Sequence, residues 1–127
     1  MRPFTPEEAE SALFFAERPP WGSELRGNIK AEYCDPMPPL NAKGGRDAEG
    51  WRCVFSAVIT EGMSNPLGNM HGGCSATIVD VMTSAAIATI SSDKFWGLPM
   101  LSGVSVTLDM QYFHPGLMWV LGPARAS

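Results

Sequence analysis

The sequence predicts an α+β domain in which a sheet wraps on one long helix. Three segments, at 28–34, 51–60 and 103–113, have the alternating or β-branched patterns typical of strands. A fourth, from about Gly73 to Ile90, has the composition of a broadly buried helix. The chain has 127 residues, of which 45% are hydrophobic and 17% charged, so it suits one packed domain and leaves little room for a second.

The N-terminal segment predicts a capped helix. Thr5 is the expected N-cap, Pro6 the first helical residue, and Glu8 the residue that closes a capping box. The helix is expected to continue to Ala16, and the Pro-Pro pair at 19–20 ends it.

The first strand is predicted where Ile29, Ala31 and Tyr33 alternate with charged residues, which favours one buried row. The Pro- and Gly-rich residues 35–50 are expected to form a long loop before the second strand.

The clearest alternation in the chain lies at 103–113, where we expect the apolar row to pack on the long helix. The apolar row is Val104, Val106, Leu108, Met110 and Tyr112, and the polar row is Ser105, Thr107, Asp109 and Gln111.

Asp80 is the only acidic residue between Gly62 and Ser92, a range that also lacks Lys and Arg. A carboxylate in such a helix either reaches water or a partner, or has its pKa raised by burial. Helical spacing gives it Thr77, Thr83 and Ser84 as neighbours on one face. One interpretation is a local cap or a solvent-facing acid. The absence of Lys and Arg from that face favours a functional acid instead.

Gly72 and Gly73 come where this helix is expected to begin. The first N–H groups of a helix are unpaired, and glycine lets a ligand oxygen approach them closely. A thioester or ester carbonyl bound there would find an oxyanion hole, although a phosphate could use the same geometry.

Composition excludes several classes of partner and compartment. The net charge is −4 with no Lys/Arg cluster, which argues against nucleic acid and anionic membranes. Three cysteines, an odd number, favour reduced thiols, and no spacing suggests a metal site. No segment has the length and apolar character of a membrane span or a signal peptide. We therefore expect a soluble protein of the cytoplasm, with the mitochondrion as the alternative.

Four motifs together resemble those of the hot-dog-fold acyl-CoA thioesterases, in the group that has an HGG turn before a central helix with an Asp. They are Asn65-x-x-Gly68-x-x-His71-Gly72-Gly73, Ala76-x-x-x-Asp80, Gly103-Val104-Ser105-Val106 and Tyr112-x-x-Pro115. The resemblance covers residues 28–116, preceded by an N-terminal helix and linker (1–27) and followed by an atypical tail (117–127). It implies a single hot-dog domain over 1–127, an antiparallel sheet wrapped around a long central helix.

The resemblance implies four catalytic residues. Asp80 would be the general base or nucleophile, and Gly72 would donate its N–H to the thioester carbonyl. Asn65 would position the water or the carbonyl. Ser105 would bind the attacking water, from the partner subunit's side of a site built across a dimer.

Three further residues, His71, Gly73 and Thr77, would contact the substrate, an acyl-CoA, and no metal or organic cofactor is needed. The expected assembly is a homo-oligomer, dimer or tetramer, acting in lipid metabolism. The alternative is an incompetent hot-dog fragment that binds acyl-CoA or pairs with a full-length relative.

The tail departs from the family pattern, in which two or three more strands follow Tyr-x-x-Pro. Here at most a short strand, Met118 to Leu121, is expected. A sheet without its final strands would leave an unpaired edge and expose the helix face with Ile78, Met82, Ala85 and Ala86. Such a chain is expected to be poorly soluble and weakly active.

Overall fold

A computed structural model describes residues 1–18, 20–94, 104–116 and 124–125 of the chain, and these form a mixed α+β fold. Its helices are α1 (Pro6–Ala12), α2 (Phe14–Glu17) and α3 (Gly72–Thr89), with single 3-10 turns at Ser23–Leu25 and Glu61–Met63. Its strands are β1 (Arg2–Pro3), β2 (Ile29–Cys34), β3 (Cys53–Ala57) and β4 (Ala124–Arg125). The α+β class is confirmed, whereas the hot-dog arrangement stays a prediction.

The start of α1 is the predicted capping box. The Thr5 hydroxyl accepts from the Glu8 N–H at 3.2 Å, and the Glu8 carboxylate accepts from the Thr5 N–H at 2.9 Å. Arg2 also donates two hydrogen bonds of 2.7 Å to that carboxylate. The Arg2 guanidinium and the Thr5 N–H together lower the pKa of Glu8 from 4.5 to about 2. The predicted single helix is interrupted at Leu13, whose ψ of 0° lies outside the α region, so two short helices form.

Three antiparallel strands, β1, β2 and β3, form the sheet, and the two residues of β4 pair beside β3. A β-bulge between Ala31 and Tyr33 adds Glu32 as an unpaired residue. The bulge shifts the alternation by one, so Cys34 is fully buried and Tyr33 is 49% exposed. The prediction that Tyr33 continues the buried row of Ile29 and Ala31 is therefore wrong.

The core lies where α1, α2 and the sheet meet α3. Small residues let the helices approach closely, since Ala12, Ala16 and Ala85 are all fully buried. The sheet contributes larger side chains, Ile29 and Phe55. The other members of the same cluster are Leu25, Met63, Ile78 and Met82.

The helix face that was expected to be exposed is largely covered. Ile78 and Met82 are 9% and 6% exposed, and Ala85 is fully buried. They are buried because α1 and α2 pack on α3, and the side chains of β2 and β3 join the same cluster. The expectation of a bare helix face is therefore wrong for these three residues.

The segment 104–113 is not a strand, contrary to the prediction for 103–113. Val104 and Val106 of its apolar row do not pack on α3, because they are 90% and 95% exposed. Gly103 and the predicted short strand Met118 to Leu121 lie outside the described residues.

Among the helices of the described residues, none combines the length and the apolar character needed to cross a bilayer.

Candidate functional site

The turn before α3 is organised by His71, which is the N-cap of the helix. Its backbone is extended (φ −64°, ψ 133°), and its Nδ1 accepts from the Gly73 N–H at 3.0 Å. Its own N–H donates to the Met63 carbonyl at 2.8 Å, which ties the turn to the core. An accepting Nδ1 assigns the ring proton to Nε2. The structure thus shows His71 supporting the turn, and α3 begins one residue earlier than predicted.

Asn65 organises the loop that precedes His71. Its side-chain oxygen accepts from the N–H groups of Leu67 and Asn69 at 3.0 and 3.3 Å. Gly68 has a φ of 78°, a left-handed conformation that favours glycine, and its N–H donates to the Asn65 carbonyl at 3.0 Å. The side-chain oxygen is therefore committed to the loop. Within the part of the chain that is described, no hydrogen bond joins Asn65 to Asp80.

The carboxylate of Asp80, the only acid in α3, has a hydrogen-bond partner. The Ser105 hydroxyl donates a short hydrogen bond to Asp80 Oδ1 within the same chain. Asp80 is half-buried and Ser105 exposed, so the pair lies at the protein surface. Ser105 and Asp80 thus meet within one chain, whereas the resemblance implies that Ser105 acts from a partner subunit's side.

The segment 104–116 runs antiparallel to the first half of α3. Ser105 contacts Asp80, the Tyr112 hydroxyl donates to the Gly72 carbonyl at 2.7 Å, and the Gly116 carbonyl accepts from the Met70 N–H at 2.6 Å. Polar contacts thus hold one end of the segment to α3 and the other to the start of α3 and the turn before it.

Tyr112 is a site residue that the sequence analysis missed, because it was assigned to the apolar row. A Cβ on Gly72 would lie 3.5 Å from both Cζ and the hydroxyl oxygen of Tyr112, so the phenol packs directly against this glycine. The signal lies in the Tyr112-x-x-Pro115 motif, which supports the family resemblance but does not by itself give the phenol a partner.

The two glycines of the turn differ in whether their backbone N–H groups are hydrogen-bonded. The Gly73 N–H is occupied by His71 Nδ1. The Gly72 N–H has no acceptor among the described residues, so it is a free donor at the positive end of the helix. Cys74 follows in the same turn, and burial raises the pKa of its thiol, which disfavours a nucleophilic thiolate.

Two hydroxyls on the Asp80 face of α3, those of Thr77 and Thr83, are satisfied within the helix. Thr77 donates to the Gly73 carbonyl at 2.8 Å, and Thr83 to the Val79 carbonyl at 2.8 Å. The Thr77 methyl would also lie 3.7 Å from a Cβ on Gly22. The structure therefore places Thr77 against the N-terminal region.

An apolar cavity of about 200 Å³ lies between α3 and the sheet. Its α3 residues are Ser75, Ile78, Val79 and Met82, and the rest of its lining is Ile29, Phe55, Ser56, Ala57, Ile59 and Met70. Because a helix turns 100° per residue, Asp80 points roughly 150° away from the centre of this α3 lining. The carboxylate and the cavity are therefore on opposite sides of the helix.

No protein-family model, curated protein or solved structure matches this chain.

Proposed function

We propose that the chain is a hot-dog-fold thioesterase subunit that hydrolyses acyl-CoA to a free acid and CoA. The observation that carries the proposal is the Ser105–Asp80 hydrogen bond, which gives the sole acid of α3 a hydroxyl partner at the surface. The free Gly72 N–H at the helix start supports it, since such a donor can stabilise an oxyanion.

In the proposed reaction Asp80 takes a proton from water as the water oxygen bonds to the thioester carbon. The carbonyl oxygen becomes an oxyanion that accepts from the Gly72 N–H. Collapse of the tetrahedral intermediate breaks the carbon–sulfur bond, and the CoA sulfur leaves with the proton that Asp80 had taken. Ser105 orients the carboxylate and the attacking water.

We infer that one such site uses two copies of the chain. Gly72 and Asp80 are eight residues apart on one helix, a rise of about 12 Å, whereas a hydrogen bond spans about 3 Å. A carbonyl bound at Gly72 of one copy would therefore be attacked with the aid of Asp80 and Ser105 from another. This favours a homo-oligomer, a dimer or tetramer, and it keeps Ser105 with Asp80 in one subunit.

A second candidate is a non-catalytic hot-dog fragment that binds acyl-CoA or pairs with a full-length relative. The contact between Tyr112 and Gly72 favours it, because the phenol occupies space beside the proposed oxyanion donor.

Thiol release from a panel of acyl-CoAs, together with equilibrium dialysis, separates the two functions. Asp80→Asn keeps an oxygen that can accept from Ser105 but removes the base, so the rate should fall by about 10²–10⁴-fold with the fold intact. Asp109→Asn, at an exposed acid of the 104–116 segment, is the matched control and should keep the wild-type rate. Acyl-CoA binding without thiol release by the wild-type chain would support the second candidate and overturn the first.

A further inference from the structure

Cys34 and Cys53 are directly opposite each other in the register of β2 and β3. Next to them the Asp35 N–H donates to the Arg52 carbonyl at 2.9 Å, and the Arg52 N–H donates to the Asp35 carboxylate at 3.1 Å, so Asp35 and Arg52 face each other at a hydrogen-bonding position of the ladder. Antiparallel pairs alternate, so Cys34 and Cys53 occupy the non-hydrogen-bonded type of position. Cα atoms of such a pair are about 4.5 Å apart, within the range of about 4.4–6.8 Å that a disulfide spans.

The two side chains lie on the same face of the sheet, because residues opposite each other in register share a face. Cys53 is half-buried and packs against the core cluster, and Cys34 is fully buried beside it. Both are free thiols, as is Cys74, which lies in the first turn of α3. The third cysteine therefore gives a natural comparison for the pair.

We propose that Cys34 and Cys53 form a reversible cross-strand disulfide by exchange with a small-molecule disulfide such as oxidised glutathione. The more accessible Cys53 reacts first: its sulfur loses a proton and bonds to one glutathione sulfur, and the other glutathione leaves as a thiol. Cys34 then loses its proton and attacks the Cys53 sulfur, which expels the second glutathione. Two protein S–H groups are oxidised to one S–S bond, and one glutathione disulfide is reduced to two thiols.

Burial determines the rate of this exchange. It raises the pKa of Cys53 to about 11 and raises that of Cys34, so the thiolate fraction is small at neutral pH. We therefore expect the disulfide to form slowly, at a rate limited by local opening of the sheet around Cys34.

The disulfide would close a ring around residues 35–52, which contain the Pro- and Gly-rich loop. Such a ring reduces the freedom of the unfolded chain and so stabilises the fold. For a ring of this size the thermal midpoint should rise by roughly 10–15 °C. This inference is independent of the proposed thioester chemistry, since neither cysteine lies among the proposed catalytic residues.

The test is prolonged incubation of the folded protein with oxidised glutathione, followed by alkylation and intact-mass and peptide analysis. The wild-type chain and Cys74→Ser should each lose two hydrogen atoms and yield a linked Cys34–Cys53 peptide, and dithiothreitol should reverse both changes. Cys34→Ser should instead stop at the mixed disulfide of Cys53 with glutathione.

The Cys34→Ser variant separates the reaction of Cys53 with glutathione from the closure of the disulfide. If Cys53 is glutathionylated in Cys34→Ser but the wild-type protein retains the mixed disulfide, the geometry does not permit closure and the proposal is wrong. A linked peptide that contains Cys74, or three thiols that all remain open to alkylation, would overturn it equally.

Discussion

Two regions, the paired strands β2 and β3 and the segment 104–116, have similar sequence patterns but form different structures. Both contain alternating apolar residues, and the alternation at 104–113 is the more regular. Yet β2 and β3 pair with each other and bury Ile29 and Phe55, whereas 104–113 forms no strand and leaves Val106 almost fully exposed. Alternation therefore indicates an extended chain with two different faces, and it does not specify which face is buried.

The difference follows from what each segment can bond to. A strand needs a neighbouring edge for its N–H and C=O groups. β2 lies between β1 and β3, and the other edge of β3 is paired with Ala124–Arg125. The 104–116 segment instead uses polar groups, with Ser105 and Tyr112 bonded to α3 and Gly116 bonded to Met70 in the turn before it. Its partner is thus a helix and the preceding turn, and one residue of each row, Ser105 and Tyr112, contacts that helix.

The sharpest test of this comparison truncates one apolar side chain in each region. Phe55→Ala should cost about 3–5 kcal/mol, because Phe55 is 7% exposed and its ring centroid lies 5.6 Å from that of Phe4. Val106→Ala should change stability by less than about 0.5 kcal/mol, because Val106 is 95% exposed. Urea unfolding measures both. A loss above about 1 kcal/mol for Val106→Ala would show that the 104–113 row is packed in solution.

The second test concerns Gly72, where α3 and the 104–116 segment meet. Gly72→Pro deletes the free N–H but keeps the carbonyl that Tyr112 binds, and proline is tolerated at the first helical position. Thioester hydrolysis should fall by about 10²–10³-fold. Gly72→Ala is the control, since its Cβ would make an ordinary contact of 3.5 Å with Tyr112 and its N–H remains. Equal rates for the two variants would place the thioester carbonyl elsewhere.

The third test removes the two hydroxyls that hold the segment to the helix. Ser105→Ala and Tyr112→Phe should each destabilise the contact by about 0.5–1.5 kcal/mol. Limited proteolysis within 104–116 should accelerate in both variants, while β2 and β3 remain resistant. Thr107→Ala, in the same polar row, is the control. If cleavage rates are unchanged throughout, these two hydrogen bonds do not hold the segment.

The smallest effect concerns the salt bridge between Arg2 of β1, the strand that pairs with β2, and Glu8 of α1. The pKa of Glu8 is about 2 in the fold against an ordinary 4.5, chiefly because Arg2 donates to the carboxylate. A lowered pKa stabilises the fold above pH 4.5, and this contribution disappears as the pH falls towards 2. The thermal midpoint of the wild type should therefore fall more between pH 5 and 2 than that of Glu8→Gln. Glu7→Gln, at an exposed neighbour, should follow the wild type, and parallel curves for all three proteins would contradict the assignment.

The sequence predicted which residues belong to the candidate site better than it predicted which of them contact each other. Gly72 offers a free N–H at the helix start, as expected of this glycine, whereas Ser105, which the resemblance placed on a partner subunit's side, contacts Asp80 within the chain. The role of Tyr112 was not predicted, because its hydroxyl acts on a carbonyl forty residues away in the chain. The resemblance implies a catalytic role for Asn65 and a substrate contact for Thr77, yet the side chains of both make hydrogen bonds within their own loop and helix.

The sequence alone determined the elements that depend on neighbours a few residues apart. The capping box of Thr5 and Glu8, the strands β2 and β3, and the long helix α3 all follow from local hydrogen bonding and periodicity. Only the tertiary structure decided the bulge that turns Tyr33 outward and the side of 104–116 that faces α3. Those outcomes depend on contacts between distant segments, and a period of two residues is equally compatible with either face being buried.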